Sequence, residues 1–171
     1  MHQPVPPVQY TPPGLDWLEL QAINEVEGLS NVLQLVLLLT GLKFAAIGKF
    51  NEENWVAYIV NDEMHLGLEP GSTIPNEVAI CTKVMQEHTP LIMPRISDDP
   101  AYRSHPNVIK FGLQAYISMP IFLINGEFFG TLCATAPYPA DVLGNEKTLD
   151  SMKLFSRLSG QLLSLNPAHL A

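Results

Sequence analysis

The chain has 171 residues, 47% apolar and 15% charged, with a formal net charge of −8. That length supports one domain with a full core. The negative charge argues against nucleic acid and anionic membrane surfaces as partners, since both are polyanions.

Residues 1–14 are rich in proline and read as an extended tail, ahead of a single domain over 15–167 and a short C-terminal tail at 168–171. Asp16 offers an N-cap with Glu19 three residues on, and Gly41 a stop, which predicts a helix of about 25 residues, roughly 37 Å long. Leu18, Ala22, Val26, Leu29, Leu33 and Val36 recur at spacings of three and four and form its expected buried face. Its last turns, Leu35–Leu39, are apolar all round and call for burial on more than one side. That run is also the longest apolar one, far too short to cross a bilayer.

Lys43–Phe50 and Trp55–Val60 read as strands joined by a turn at Asn51–Asn54, and Leu66–Leu68 as a short strand. Pro75 suits the first turn of a helix that runs until shortly before Pro90, with Val78, Cys81, Val84 and Met85 on one face. Leu91–Met93 reads as a strand, and residues 97–113, broken by two prolines, as one or two helical turns within a loop. Asn145 caps a last helix to about Leu165, with Leu154, Leu158, Leu162 and Leu165 along one stripe.

The longest strand signal is Ala115–Ala136, two apolar runs flanking Asn125-Gly126. A two-residue type I′ turn there fixes a register in which Tyr116 faces Thr135, Ser118 faces Cys133, Pro120 faces Thr131, Phe122 faces Phe129 and Ile124 faces Glu127. Alternation then gives one face without polar side chains: Ala115, Ile117, Met119, Ile121 and Leu123 with Phe128, Gly130, Leu132, Ala134 and Ala136. The other face carries Tyr116, Ser118, Pro120 and Phe122 with Phe129, Thr131, Cys133 and Thr135, a mixture of aromatic bulk and hydroxyls suited to a half-polar cavity. The element order predicts an α+β fold with a central antiparallel sheet of five to six strands. The terminal helices should lie on its dry face and a pocket on the other, beneath residues 75–113.

Several local motifs resemble the GAF domain family of small-molecule sensor modules, in particular those placed ahead of histidine kinases and diguanylate cyclases in bacteria. They are Ile74-Pro75-x-Glu77-Val78, Pro90-Leu91, Asp98-Asp99-Pro100-x-Tyr102-Arg103-x-His105-Pro106, Tyr116-Ile117-Ser118-x-Pro120-Ile121 and Gly126-x-Phe128-Phe129-Gly130-Thr131-Leu132-Cys133-Ala134. With the flanking helices the resemblance covers about residues 16–165. Pro94 and Ala136 stand where such domains often carry acidic residues at the cavity rim. In bilin-binding members a histidine in the region of His105 stacks on the chromophore, and many have a neighbouring cysteine that bonds it. Here Ser104 precedes His105 and no cysteine lies between Cys81 and Cys133, so no covalent bilin is expected.

The candidate ligand-binding residues are Asp98, Tyr102, His105, Tyr116, Ser118, Thr131, Cys133 and Thr135. Asp98 or Asp99 either accepts from a ligand amine or caps the turn started by Pro100, and Arg103 either forks onto an anion or is solvated. His105 either meets a ligand or is a loop residue held by a backbone hydrogen bond. Free-methionine sulfoxide reductase is built on a GAF-like fold and relies on loop cysteines. Cys81 and Cys133 have no basic neighbour in sequence to activate them and read as small buried hydrophobes. Two cysteines build no disulfide framework, and no basic-then-apolar leader opens the chain, so a cytoplasmic, reducing setting is expected. No His/Cys spacing suits a metal, no glycine-rich loop suits a nucleotide, and Ser118 has no evident triad partners.

The expected function is therefore a non-enzymatic sensor domain in signal transduction, of the two-component type. It binds an unidentified small molecule, forms a homodimer through its terminal helices and passes occupancy to an output domain or protein. The rivals are a dimerisation domain with a collapsed pocket, a bilin photoreceptor with a non-covalent chromophore, and a thiol enzyme. A cavity of a few hundred Å³ would favour binding and a filled interior the structural rival.

Overall fold

The computed structural model describes residues 17–170; the Pro-rich tail and the proposed cap at Asp16 lie outside the described residues. The chain runs α1 (Trp17–Thr40), β1 (Phe44–Phe50), β2 (Asn54–Asp62), β3 (Thr73–Pro75), α2 (Thr82–Glu87), β4 (Leu91–Met93), a 3₁₀ turn (Ile96–Asp98) and α3 (Pro106–Phe111). β5 (Ala115–Phe122), β6 (Phe128–Ala136), a second 3₁₀ turn (Asp141–Gly144), α4 (Glu146–Leu163) and a third (Pro167–Leu170) complete it. The six strands form one antiparallel sheet in the order β3-β2-β1-β6-β5-β4. This is the expected α+β architecture.

α1 and α4 pack together on one face of the sheet. Leu29, Leu33, Ile47, Ile117, Ile121, Leu132, Met152 and Leu163 are sealed there. Each such aliphatic side chain contributes about 1.5–3 kcal/mol by leaving water. The buried stripe of α1 is Glu25, Leu29, Val32, Leu33, Val36, Leu37 and Thr40. Leu18, Ala22 and Val26, expected on that stripe, are exposed; at the level of Val26 the helix turns Glu25 inward instead. By length and composition α1 passes for a membrane span, yet its mid-helix Glu25 is buried and bound within the domain. The Glu25 carboxylate accepts from the Tyr58 hydroxyl at 2.8 Å and lies 2.8 Å from His169 Nε2. Residues 168–170, read from the sequence as a tail, are thus folded back onto α1 and β2. Burial, and then the Glu25 carboxylate, push the Tyr58 hydroxyl up to about 12.

The hairpin keeps the expected register from Tyr116–Thr135 to Pro120–Thr131 and then departs from it. Phe122 pairs with Phe128, not Phe129, and the turn is not type I′. Gly126 N donates to Leu123 O and Leu123 N to Glu127 O, both at 2.9 Å, and Gly126 alone in the turn has positive φ (+86°). This is a one-residue-longer loop closed by a left-handed glycine, and the irregularity beside Ile121 absorbs the extra residue. The consequence is an exchange of faces. Phe129 joins the dry core edge-on to Tyr58 and His169, while Phe128 stacks on His88 with centroids 4.6 Å apart.

Three other expectations change. Leu66–Leu68 is loop, and the edge strand is Thr73–Pro75. Pro75 ends that strand opposite Asn54 instead of starting a helix, since Asn76 ties the chain to the β1–β2 turn through the carbonyls of Asn51 and Glu52. The helix is therefore only Thr82–Glu87. At the far end Asn145 caps α4 as expected, its side chain accepting from Lys147 N at 2.9 Å.

Candidate functional site

The second face of the sheet is covered by short pieces: the loop 63–72, α2 with its approach, the first 3₁₀ turn and α3. Between cover and sheet lies a cavity of about 60 Å³. Its floor is Phe44, Trp55, Tyr116, Cys133 and Thr135; its roof includes Leu66, Leu68, Ile80, Cys81 and Phe111. A volume of this size holds a few waters or a compact molecule of a few heavy atoms, at about 10–15 Å³ of such space per water. It falls between the two values that would have separated a binding site from a filled interior.

Trp55 is placed by a glycine. A Cβ built on Gly48 would lie 1.9 Å from the indole, so the ring fits only because β1 has no side chain there. Its Nε1–H donates to Thr131 Oγ1 at 3.1 Å, across β1, and Thr131 Oγ1 donates on to Cys81 Sγ at 3.6 Å. This relay ties the sheet to the start of α2. Asn107 makes a second tie within the cover, its amide donating to Val78 O at 2.7 Å.

The polar groups of this face are spent inward. Thr131 serves the relay, and Thr135 Oγ1 donates to Ala115 O at 2.6 Å. Ser118 Oγ is buried without a hydrogen-bond partner among the described residues. The half-polar cavity expected from the alternation is accordingly a nearly apolar one. Burial pushes the Cys81 thiol up to about 11, the Cys133 thiol further in the same direction, and the Tyr116 hydroxyl well above its ordinary range. Both thiols remain protonated near neutrality and are poor nucleophiles.

Of the candidate residues, the structure brings Tyr116, Cys133 and Thr135 to the cavity wall. Ser118 and Thr131 lie buried on the same face but away from that wall. Asp98 is exposed on the first 3₁₀ turn, 3.9 Å from Arg95, and does not reach the cavity. Tyr102 is half-buried with its ring on His105. His105 caps α3, its Nδ1 accepting from Asn107 N at 3.1 Å, and partial burial lowers its pKa. The sequence reading missed Trp55, Phe44 and the leucines of the 63–72 loop. Trp55 and Phe44 carried a usable signal, since both sit on strands whose alternation assigns a face. The loop leucines carried none.

The GAF domain model matches residues 24–163. The chain belongs to the GAF domain family. The GAF domain of the blue-light absorbing form of Thermosynechococcus elongatus PixJ is similar at 12% identity and a TM-score of 0.67, over 88% of this chain and 89% of that one. The GAF domain of a two-component sensor histidine kinase from Bacillus halodurans is similar at 16% identity and a TM-score of 0.63, over 84% and 95%. A type II free methionine-R-sulfoxide reductase from Thermoplasma acidophilum is similar at 12% identity and a TM-score of 0.64, over 84% and 94%. At such identities the likeness concerns the fold. No curated protein sequence matches the chain. This GAF domain thus shares its architecture with sensors, a photoreceptor and an enzyme, and its own cavity must separate them.

Proposed function

We propose that this GAF domain is a cytoplasmic, non-enzymatic sensor that takes up a small, largely apolar molecule between its sheet and its cover. The carrying observation is the cavity bounded by Trp55, Tyr116 and Cys133 under a roof of short elements. An aromatic floor with two hydroxyls, that of Thr135 already donating to Ala115 O, suits a compact apolar ligand with a single polar group. A bilin is far larger than about 60 Å³, so this reading excludes a chromophore unless the cover is displaced. The buried, protonated thiols speak against a thiol enzyme. Mass spectrometry of small molecules released from the purified native protein tests the reading. A stoichiometric compound lost in Cys133→Phe, which fills the cavity, supports it; identical content in both proteins refutes it. Visible absorbance after co-expression with bilin, and alkylation of Cys81 and Cys133 faster than global unfolding, would favour the two rivals instead.

The output route in this reading is a two-fold dimer through the terminal helices. Leu38 is 74% and Leu154 60% exposed in the single chain; Leu35 and Leu39 on α1, Leu158 on α4 and Leu165 just past its end are exposed as well. An apolar surface spread over two adjacent helices is commonly covered by a second copy. Occupancy of the cavity would bias two arrangements of these helices and so an output domain or partner protein. Light scattering across a dilution series checks the dimer. Conversion to folded monomer by Leu38→Glu with Leu154→Glu places the interface on these helices, and a monomer mass at every concentration removes it.

A further inference from the structure

A second concavity, of about 170 Å³, opens at the end of the sheet beyond β4 and α3. Its polar walls are Arg95, Ser97, Arg103 and Gln114. Two of the three arginines in a chain with 17 acidic and 9 basic residues therefore line one cleft. The apolar part is Ile96, Val108, Leu113 and Pro139. Leu113 is the wall it shares with the core cavity; the inference is otherwise independent of that cavity.

The frame of the cleft is stitched by backbone hydrogen bonds. Ile96 N donates to Gln114 O, Gln114 N to Ala136 O and Ala140 N to Pro94 O, each at 2.9 Å. Ile96, Val108 and Leu113 are buried beneath it. The side chains at its mouth thus stand on a fixed base, which lowers the ordering cost of binding.

The charges can be tallied. Arg95 meets Asp98 in a long contact, Nε to Oδ2 at 3.9 Å, which leaves that pair close to neutral. The Asp99 carboxylate is turned to its own loop, accepting from Ala101 N at 2.9 Å. Among the described residues, the Arg103 guanidinium has no acidic partner, and no hydrogen bond is made by the Ser97 hydroxyl or the Gln114 amide. The lining of the cleft thus carries one guanidinium without an acidic partner among the described residues, a hydroxyl and an amide above an apolar base; the Asp99 carboxylate keeps its charge but is not part of the lining. The net charge of −8 repels polyanions, but over a Debye length of about 8–10 Å it does not cancel a local site for one small anion.

The geometry points to this cleft as a binding site for a small monocarboxylate with an apolar body, the carboxylate on Arg103 with Ser97 and Gln114, and the body on Ile96, Leu113 and Pro139. The single fork of Arg103 matches a monoanion better than a phosphate dianion, and the apolar base rewards a hydrocarbon group that inorganic phosphate lacks.

The experiment is an amide NMR titration of the whole protein with sodium benzoate, sodium phosphate and sodium chloride at matched ionic strength. Benzoate is expected to give saturable shifts confined to residues 95–114 and 139–140, with a Kd on the order of 1 mM. Phosphate should bind at least tenfold more weakly, and chloride should give no saturable shift. Arg103→Gln should weaken benzoate tenfold or more, and Arg103→Lys less, because an ammonium keeps the charge but loses the fork. Arg157→Gln, on α4, should leave the affinity unchanged. Shifts that chloride reproduces, phosphate binding tighter than benzoate, or benzoate shifts that survive Arg103→Gln would each overturn the assignment. Benzoate shifts centred on Trp55 and Tyr116 would also overturn it and would support the core cavity instead, so the two readings fail separately.

Discussion

The two faces of this sheet are made from the same strands and closed in different ways. On one, two long helices bring continuous stripes of leucine, isoleucine and valine onto Ile117, Ile121 and Leu132, and the interface is dry. On the other, two six-residue helices, a 3₁₀ turn and a loop meet the sheet through Trp55, Tyr116 and Cys133, with a side-chain tie to the sheet at Thr131–Cys81 and another within the cover at Asn107–Val78. A long helix adds packing along its whole length. A short one is fixed by one or two contacts and leaves gaps where these do not mesh. In this GAF domain the cavity accordingly lies on the side of the short elements and not beneath the long helices.

The largest expected effect breaks the dry side. Ile121, fully buried under α4, changed to Ala should cost about 2–5 kcal/mol through an unfilled cavity, read from urea unfolding midpoints. A loss below 1 kcal/mol would mean that the helices close over the gap and that this side is as pliant as the other.

The second prediction uses pH against the cover side. The Cys81 thiol is held near 11, against an ordinary value of 9. A raised folded-state pKa contributes stability that is complete below the unfolded value and is lost as pH rises through the folded one. Between pH 9 and 11 the protein should therefore lose about 2–3 kcal/mol through this group. Cys81→Ala should remove that portion of the slope, and unchanged slopes would show that Cys81 is not sealed under the cover.

Gly48→Ala tests the seat of Trp55. With the indole 1.9 Å from the new Cβ, about 1–3 kcal/mol should be lost as the ring is displaced, and the tryptophan emission should move to the red. Stability lost without a spectral change would place the strain elsewhere. The smallest effect is expected at Ser118, whose buried hydroxyl has no partner. Ser118→Ala should be neutral or stabilising by up to about 1 kcal/mol, since an unpaired polar group is removed. A clear loss would reveal a partner for that hydroxyl.

The sequence by itself determined five of the six strands, the terminal helices, the hairpin register near Tyr116–Thr135 and most of the dry face, because alternation and helical periodicity are local consequences of burial. It also carried the motifs of the GAF family between Ile74 and Pro139. Other features required tertiary structure. Pro75 follows strand pairing with Asn54 rather than its helix-start preference, because Asn76 holds the chain on the β1–β2 turn. The hairpin loop took one residue more than the Asn-Gly signal implied, which sent Phe129 to the dry core and Phe128 to the cover. The hydroxyls of Thr131 and Thr135 found partners on neighbouring chain segments, so their alternation gave the correct face but the wrong polarity for the cavity. The placing of Arg95 and Arg103 on one cleft and the clasp of His169 on Glu25 bring together residues 8 and 144 positions apart. Periodicity is silent about such contacts, and the packing of whole elements decides them.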